Sequence, residues 1–313
     1  MSIWVALILF VIGIVLVVKG GDIFVDAASW IAKAAGIPTF IVGATIVSLA
    51  TTMPELLVSV FAAADGKIDM AIGNAVGSVI ANTGLIMAIS LIFLSISIVR
   101  KEYIKQCAIL VICSAVLWLG SLSGQLAAWA GIVLFFVFVG FMALNIYNAK
   151  KQSATVERIE ATKKEYAKNI VLFLAGAAAI VIGSEFLVDG GSAIATALGV
   201  EERIIAVTLV AVGTSLPELV TTLTAIRKKE SSLSIGNIIG ANIIDLSMIL
   251  PICSIVSGKG LPVLGKCLTV DLPACLMIIL IALLPLLIRQ KSSKLQGIVV
   301  LASYGVYLCL TLL

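Results

Sequence analysis

The sequence predicts an all-α integral membrane protein of about ten transmembrane helices, folded as two inverted five-helix repeats. Three observations predict it: a lipid-compatible composition, basic residues confined to alternate loops, and an internal repeat that needs no gap.

Composition comes first. Hydrophobic residues make up 61% of the 313 and charged residues 12%, and the mean hydropathy is +1.20. A soluble domain carries about 25% charged residues, so half the expected polar surface is missing, and lipid is the medium that tolerates this. The net charge of +4 comes from Lys and Arg in short loops, not from a basic stripe interleaved with aromatics, which argues against nucleic acid. Histidine is absent, which removes imidazole metal ligands and the usual mid-range acid–base group. Cys107, Cys113, Cys253, Cys267, Cys275 and Cys309 lack metal-ligand spacing and read as packing or lipid-facing residues. The apolar run from Ile3 to Val18 has no basic leader and no A-x-A site, so it reads as the first span, not a cleaved signal.

A helix needs about 20 apolar residues to cross the bilayer. Such stretches fall at 2–18, 38–64, 70–98, 104–121, 126–148, 168–188, 203–226, 233–257, 267–288 and 295–313. The second, third, seventh and eighth contain Gly, Pro, Asn and carboxylates and are not expected to be plain lipid-facing rods. The chain divides into a first repeat (1–148), a cytoplasmic linker (149–167) and a second repeat (168–313). The linker mixes Lys, Arg and Glu without a recognisable site and reads as a solvated connector.

Loop charge sets the orientation. The odd-numbered loops hold Lys19 and Lys33; Arg100, Lys101 and Lys105; Lys150, Lys151, Arg158, Lys163, Lys164 and Lys168; Arg227, Lys228 and Lys229; Arg289, Lys291 and Lys294, which is 17 of the 21 basic residues. The even loops hold only Lys67, Arg203, Lys259 and Lys266. The positive-inside rule makes the richer side cytoplasmic and places both termini outside, extracellular or periplasmic, in a multi-pass protein of the cell inner (plasma) membrane.

The repeat is the most specific signal. An offset of 163 carries Asp26 onto Asp189, Gly36 onto Gly199, Thr45 onto Thr208, Pro54 onto Pro217, Glu55 onto Glu218, Asn74 onto Asn237 and Gly77 onto Gly240. From Gly20 to Asn82 about a third of the positions are identical. Two greasy segments share Leu, Val and Ala by chance, but not Asp, Pro, Glu and Asn in one register. Five spans per half is an odd number, so the second half enters the membrane with opposite polarity, and secondary transporters place sites at such repeat interfaces.

The residues suited to chemistry lie inside these matched spans. Ser48-Leu49-Ala50-Thr51-Thr52-Met53-Pro54-Glu55 pairs with Ala211-Val212-Gly213-Thr214-Ser215-Leu216-Pro217-Glu218. Gly73-Asn74-Ala75-Val76-Gly77-Ser78-Val79-Ile80-Ala81-Asn82 pairs with Gly236-Asn237-Ile238-Ile239-Gly240-Ala241-Asn242-Ile243-Ile244-Asp245. Each proline removes a donor and frees a carbonyl four residues back, near Ala50 and Gly213, and lipid offers that oxygen no partner. The hydroxyls of Thr51, Thr52, Thr214 and Ser215 sit on the same turns. Glu55, Glu218 and Asp245 are flanked by apolar runs, and a charge at mid-bilayer costs at least about 2.5–3.5 kcal/mol. No Lys or Arg lies at that depth, so protons or metal cations must neutralise them. Oxygen-only donors suit Ca²⁺ and Na⁺, since softer metals would want His or Cys. Glycines four apart, at 73 and 77 and at 236 and 240, permit close helix contact that would bring Asn82 and Asp245 near Glu218 and Glu55.

These paired segments follow the G-T-S-x-P-E and G-N-x-x-G-S-N-x-x-N/D motifs of the cation/calcium exchanger superfamily, and the chain resembles that superfamily and, within it, the prokaryotic sodium/calcium exchangers. The resemblance implies a secondary active antiporter that exchanges Na⁺ for Ca²⁺, with broken helices 2, 3, 7 and 8 around the site and the first and sixth helices sliding to alternate access. It would make Glu55 and Glu218 the central calcium ligands, helped by Thr51 and Thr214. Sodium would draw on the carbonyls of Ser48 and Ala211 and on Thr52, Ser78, Asn82, Ser215 and Asp245. Ala50, Thr52, Val79 and Ala241 depart from the motifs. Ala241 stands where the pattern has a serine, which removes one sodium-facing oxygen.

Ca²⁺, Na⁺ and the lipid bilayer are the expected partners, with H⁺ as an alternative counter-ion; no cofactor, nucleic acid or protein partner is implied. The competing readings are a Ca²⁺/H⁺ exchanger on the same scaffold, a cation channel and an intramembrane enzyme. The last is disfavoured because Asp245 has no deep Asp partner and a Ser/His dyad is impossible without His.

Overall fold

The structure, a computed structural model, describes residues 2–93, 96, 98, 100–152, 158–199, 213–258 and 260–312. The described chain is almost wholly helical: α1 (Ile3–Ala35), α2 (Thr39–Thr51), α3 (Met53–Ala64), α4 (Ile68–Phe93), α5 (Arg100–Gly120), α6 (Ala128–Gln152), α7 (Lys163–Ala197), α8 (Leu216–Arg227), α9 (Ser231–Val256), α10 (Cys267–Arg289) and α11 (Lys294–Leu312). Among the described residues, eight helices are long and apolar enough to cross a membrane, and α2 with α3 makes a ninth span bent by 46°. The expected span 203–226 begins outside the described residues, and α8 is its described end.

Two helices outrun the apolar windows. α1 continues through Lys19 for 33 residues, and α7 extends for 35. A 33-residue helix is about 50 Å long, well over the ~30 Å hydrocarbon core, so it tilts or projects into the interface. Asp22, Asp26 and Lys33 do not end α1 because they are paired: Asp22 with Arg227 and with Lys228 at 3.7 Å, Asp26 with Lys228 at 2.6 Å, and Lys33 with Glu230 at 3.3 Å. α1 stops only at Gly36, whose φ of 66° no β-carbon tolerates well. Its repeat mate Gly199, at φ 80°, follows α7.

α1 and α7 lie antiparallel and touch along glycines seven residues apart. A β-carbon on Gly13 would stand 2.8 Å from the Gly183 carbonyl, one on Gly183 2.8 Å from Leu16 Cβ, and one on Gly176 2.7 Å from the Phe24 nitrogen. Gly13 and Gly176 are repeat mates, as are Gly20 and Gly183, so the crossing itself follows the internal symmetry. Stacking of Phe24 on Phe173 at 4.6 Å continues the contact.

The inner helices are α4 and α9, with 72% and 78% of their apolar windows buried, against 22% in α1, 28% in α7 and 17% in α11. Exposed Ile, Val and Phe on the outer helices therefore meet lipid. The loops sort by parity as the repeat requires. Arg100 donates to the Leu287 and Ile288 carbonyls, joining loops 3 and 9. Leu126 and Val263 exchange backbone bonds with Leu261 and Gly124, joining loops 4 and 8.

Helices 3 and 8 of the ten-span count (α4 and α9) are not bent apart. Each is interrupted in place by a π-turn, Asn82–Met87 and Asp245–Ile249, that opens on the matched polar residue. Such turns leave backbone groups displaced from the α-helical ladder and cluster at functional sites.

The α1–α7 crossing admits a direct check. Gly183→Ala should lower the melting temperature of the detergent-purified protein, through an overpacking cost of about 1–3 kcal/mol. Gly305→Ala, where no atom of the described residues lies within 4 Å of the added carbon, should leave it unchanged or slightly raised.

A candidate cation site at the repeat interface

The site is built twice from the same local rules. At Thr52 the backbone leaves the helix with φ −83° and ψ 0°, and at its mate Ser215 with φ −87° and ψ 5°. Each break is followed by a fresh helix with proline in its first turn and a glutamate just behind it, Glu55 in α3 and Glu218 in α8. Proline suits that position because the amide it lacks would be unpaired there anyway. A carboxylate in a first turn faces the positive end of the helix dipole. The breaks thus aim two helix N-termini and two carboxylates inward.

The polar turns of the inner helices cross between the halves. The Asn82–Met87 turn packs against α8, which carries Glu218, and the Asp245–Ile249 turn packs against α3, which carries Glu55. On the α9 side, glycine allows the close approach. Added β-carbons on Gly236 and Gly43 would collide with the carbonyls of Phe40 and Leu233, and one on Gly240 would stand 2.6 Å from Ser48 Oγ. So α9 lies with its backbone against that of α2.

Glu55, Glu218 and Asp245 are at most 1% exposed, and none of their six carboxylate oxygens has a hydrogen-bond partner. The three groups lie within electrostatic reach of one another. No Lys or Arg is ion-paired to them among the described residues. They do not form a tight all-carboxylate cluster, so any ion held between them must also take hydroxyl, amide and carbonyl oxygens.

Those oxygens are at hand. Asn82 is 1% exposed with both amide atoms unpaired, and the Ser215 hydroxyl is buried and unpaired. Ser78 is 3% exposed. The Thr51 and Thr52 hydroxyls sit beside Glu218 but are directed elsewhere: Thr51 Oγ1 donates to Asn237 Oδ1 at 3.2 Å, and Thr52 Oγ1 to the Ser48 carbonyl at 2.6 Å. The Ser48 carbonyl also accepts from the Thr52 amide at 2.9 Å. With two lone pairs already engaged, it ligates a cation only after the Thr52 hydroxyl turns away. Thr214 is half-buried and lines a cavity beside the site. Ala211 lies outside the described residues.

The chain's likeness to known proteins accords with this geometry. A family profile described as sodium/calcium exchanger protein matches residues 5–147 and 168–313. The chain belongs to the sodium/calcium exchanger family. The exchanger is 30% identical over 341 residues to sodium/calcium exchanger MaX1 of Methanosarcina acetivorans, across 96% of this chain and 97% of that one. It is 31% identical over 261 residues to inner membrane protein YrbG of Escherichia coli, across 80% and 79%. Among solved structures it matches the sodium-calcium exchanger NCX_Mj soaked with Na⁺ and Sr²⁺, with a TM-score of 0.84 at 28% identity over 98% of this chain and 99% of that one.

Several polar residues of the exchanger's site escaped assignment from the sequence. Asn74 donates to the Glu55 carbonyl at 3.2 Å and to Ser59 Oγ at 2.9 Å, while its mate Asn237 receives Thr51. Their exact register in the repeat was the available signal. Thr222, fully buried and unpaired, carried a weaker form of that mark through its mate Ser59, whereas Asn242, which donates to Thr83 at 2.8 Å, and the fully buried, unpaired Thr221 carried none.

Buried charge without a partner destabilises the protein that holds it. Glu218→Gln should therefore raise the melting temperature of the exchanger in cation-free detergent solution. It should also shrink the rise that Na⁺ or a divalent cation produces, which for an intact site at 100-fold over its Kd is worth about 2.7 kcal/mol.

Proposed function

We propose that this exchanger carries Na⁺ and Ca²⁺ in opposite directions across the membrane by alternating access to one mid-membrane site. The observation that supports it best is the set of six unpartnered carboxylate oxygens on Glu55, Glu218 and Asp245, drawn from both repeats and ringed by oxygen donors. Hard oxygen ligands favour Na⁺ and Ca²⁺ over softer metals. Three negative charges are balanced by three Na⁺, or by one Ca²⁺ with one retained proton, so either load neutralises the same cage. Ions competing for one set of ligands is the core requirement of an antiporter.

In this reading Glu55 and Glu218 hold Ca²⁺ from opposite halves, with Thr51 and Thr214 supplying further oxygens. Na⁺ uses Asp245, Asn82, Ser78, Thr52 and Ser215, together with the Ser48 and Ala211 carbonyls. The halves 1–148 and 168–313 act as the two repeat units, and α1 with α7 moves as the sliding element, for which their side-chain-free glycine contact is suited. The protein sits in the inner (plasma) membrane with both termini outside, because the basic loops favour the cytoplasm.

The test is ⁴⁵Ca²⁺ uptake into proteoliposomes loaded with Na⁺, K⁺ or choline at fixed pH. Uptake should require internal Na⁺ and fall by at least about tenfold in Glu218→Gln, the loss expected when a ligand that contacts the ion is removed. Uptake driven by a proton gradient and indifferent to Na⁺ would transfer the counter-ion role to H⁺. Uptake that survives the substitution would remove Glu218 from the site.

A further inference from the structure

α1 and α7 carry two further matched pairs of carboxylates that the cage does not use. The offset of 163 pairs Asp22 with Glu185 and Asp26 with Asp189. Residues four apart share one helix face, so α1 and α7 each present two acidic groups side by side.

The two pairs live in different surroundings. Asp22 and Asp26 are neutralised by Arg227 and Lys228. Beside them α1 is closed against α8: a β-carbon on Gly21 would stand 2.9 Å from both Thr224 Oγ1 and Val220 Cγ1. In the other half Ser184 takes the place of Gly21, and α7 faces a cavity of about 290 Å³. Ser184, Glu185 and Asp189 line that cavity, with Pro54, Pro217 and Thr214 opposite. Glu185 and Asp189 have no ion pair among the described residues. The Ser184 hydroxyl is buried at 4% residue exposure and has no hydrogen-bond partner.

We propose that Ser184, Glu185 and Asp189 form a cation-staging site, which takes a still largely hydrated Ca²⁺ or Na⁺ and passes it to the cage through Thr214. The inference rests on the exchange function proposed above. Two unneutralised carboxylates in a cleft with apolar walls concentrate cations locally. A buried hydroxyl left unpaired is costly, and an ion's inner water or the ion itself gives it a partner. Thr214 borders the cavity and is next in sequence to Ser215 and four residues from Glu218, so the cavity reaches the edge of the cage. In the orientation proposed above, the cavity opens on the outer side, and the ion pairs of Asp22 and Asp26 lie on the cytoplasmic one.

Two measurements test it. In Na⁺-loaded vesicles, Glu185→Gln/Asp189→Asn should raise the apparent KM for external Ca²⁺ about three- to tenfold while Vmax stays within about twofold. Added choline chloride should slow the wild type more than the variant. An unchanged KM, or a fall in Vmax alone, overturns the staging role. The second measurement is equilibrium ⁴⁵Ca²⁺ binding to the purified Glu218→Gln protein, which should retain a weak site that the added Glu185→Gln/Asp189→Asn changes abolish. Equal binding by the two proteins also overturns it. If wild-type vesicles show no Na⁺-driven uptake, the exchange reading fails, and the binding comparison still decides the staging site by itself.

Discussion

Three buried carboxyl groups with no ion pair among the described residues set the terms for the rest of this structure. Ionised, each is costly in a low-dielectric interior unless a counter-charge arrives, and no described Lys or Arg supplies one. What it supplies is geometry. The breaks at Thr52 and Ser215 begin new helices whose positive ends face inward. The glycines of α2 and α9 bring two backbones together, and the π-turns at Asn82 and Asp245 set amide and carboxylate into the same space.

Much of this was legible because duplication writes the same constraint twice. Pro54 and Pro217, Glu55 and Glu218, Gly36 and Gly199 each recur at one offset, and each pair adopts the same backbone role in both halves. The spans also read well, since apolar length is a direct demand of the bilayer. What was hidden depends on tertiary neighbours. Hydropathy ends the first span at Val18, yet α1 runs on to Ala35 because Arg227 and Lys228 at the end of the distant α8 neutralise its aspartates. Asn82 and Asp245 announce polarity but not that they open π-turns within unbent helices, because that choice belongs to packing across the repeat interface. The engagement of the Ser48 carbonyl by Thr52 is likewise a matter of side-chain rotamer, which no sequence pattern encodes.

The repeat supplies a skeleton for alternating access but not an identical pair of end states. One half is closed where α1 meets α8, and the other stands open where α7 faces Pro54 and Val58. In a fully symmetric carrier the second state would be the first with its halves relabelled.

Position 21 forbids that relabelling. Gly21 nestles between Val220 and Thr224 because it has no side chain, whereas Ser184 would have to settle against Leu57 and Phe61, the mates of that pair. A hydroxymethyl group between a leucine and a phenylalanine seals less tightly than a bare backbone between a valine and a threonine. The two halves therefore cannot close with the same packing, and position 184, outside the cage, is where the internal symmetry of the exchanger is broken.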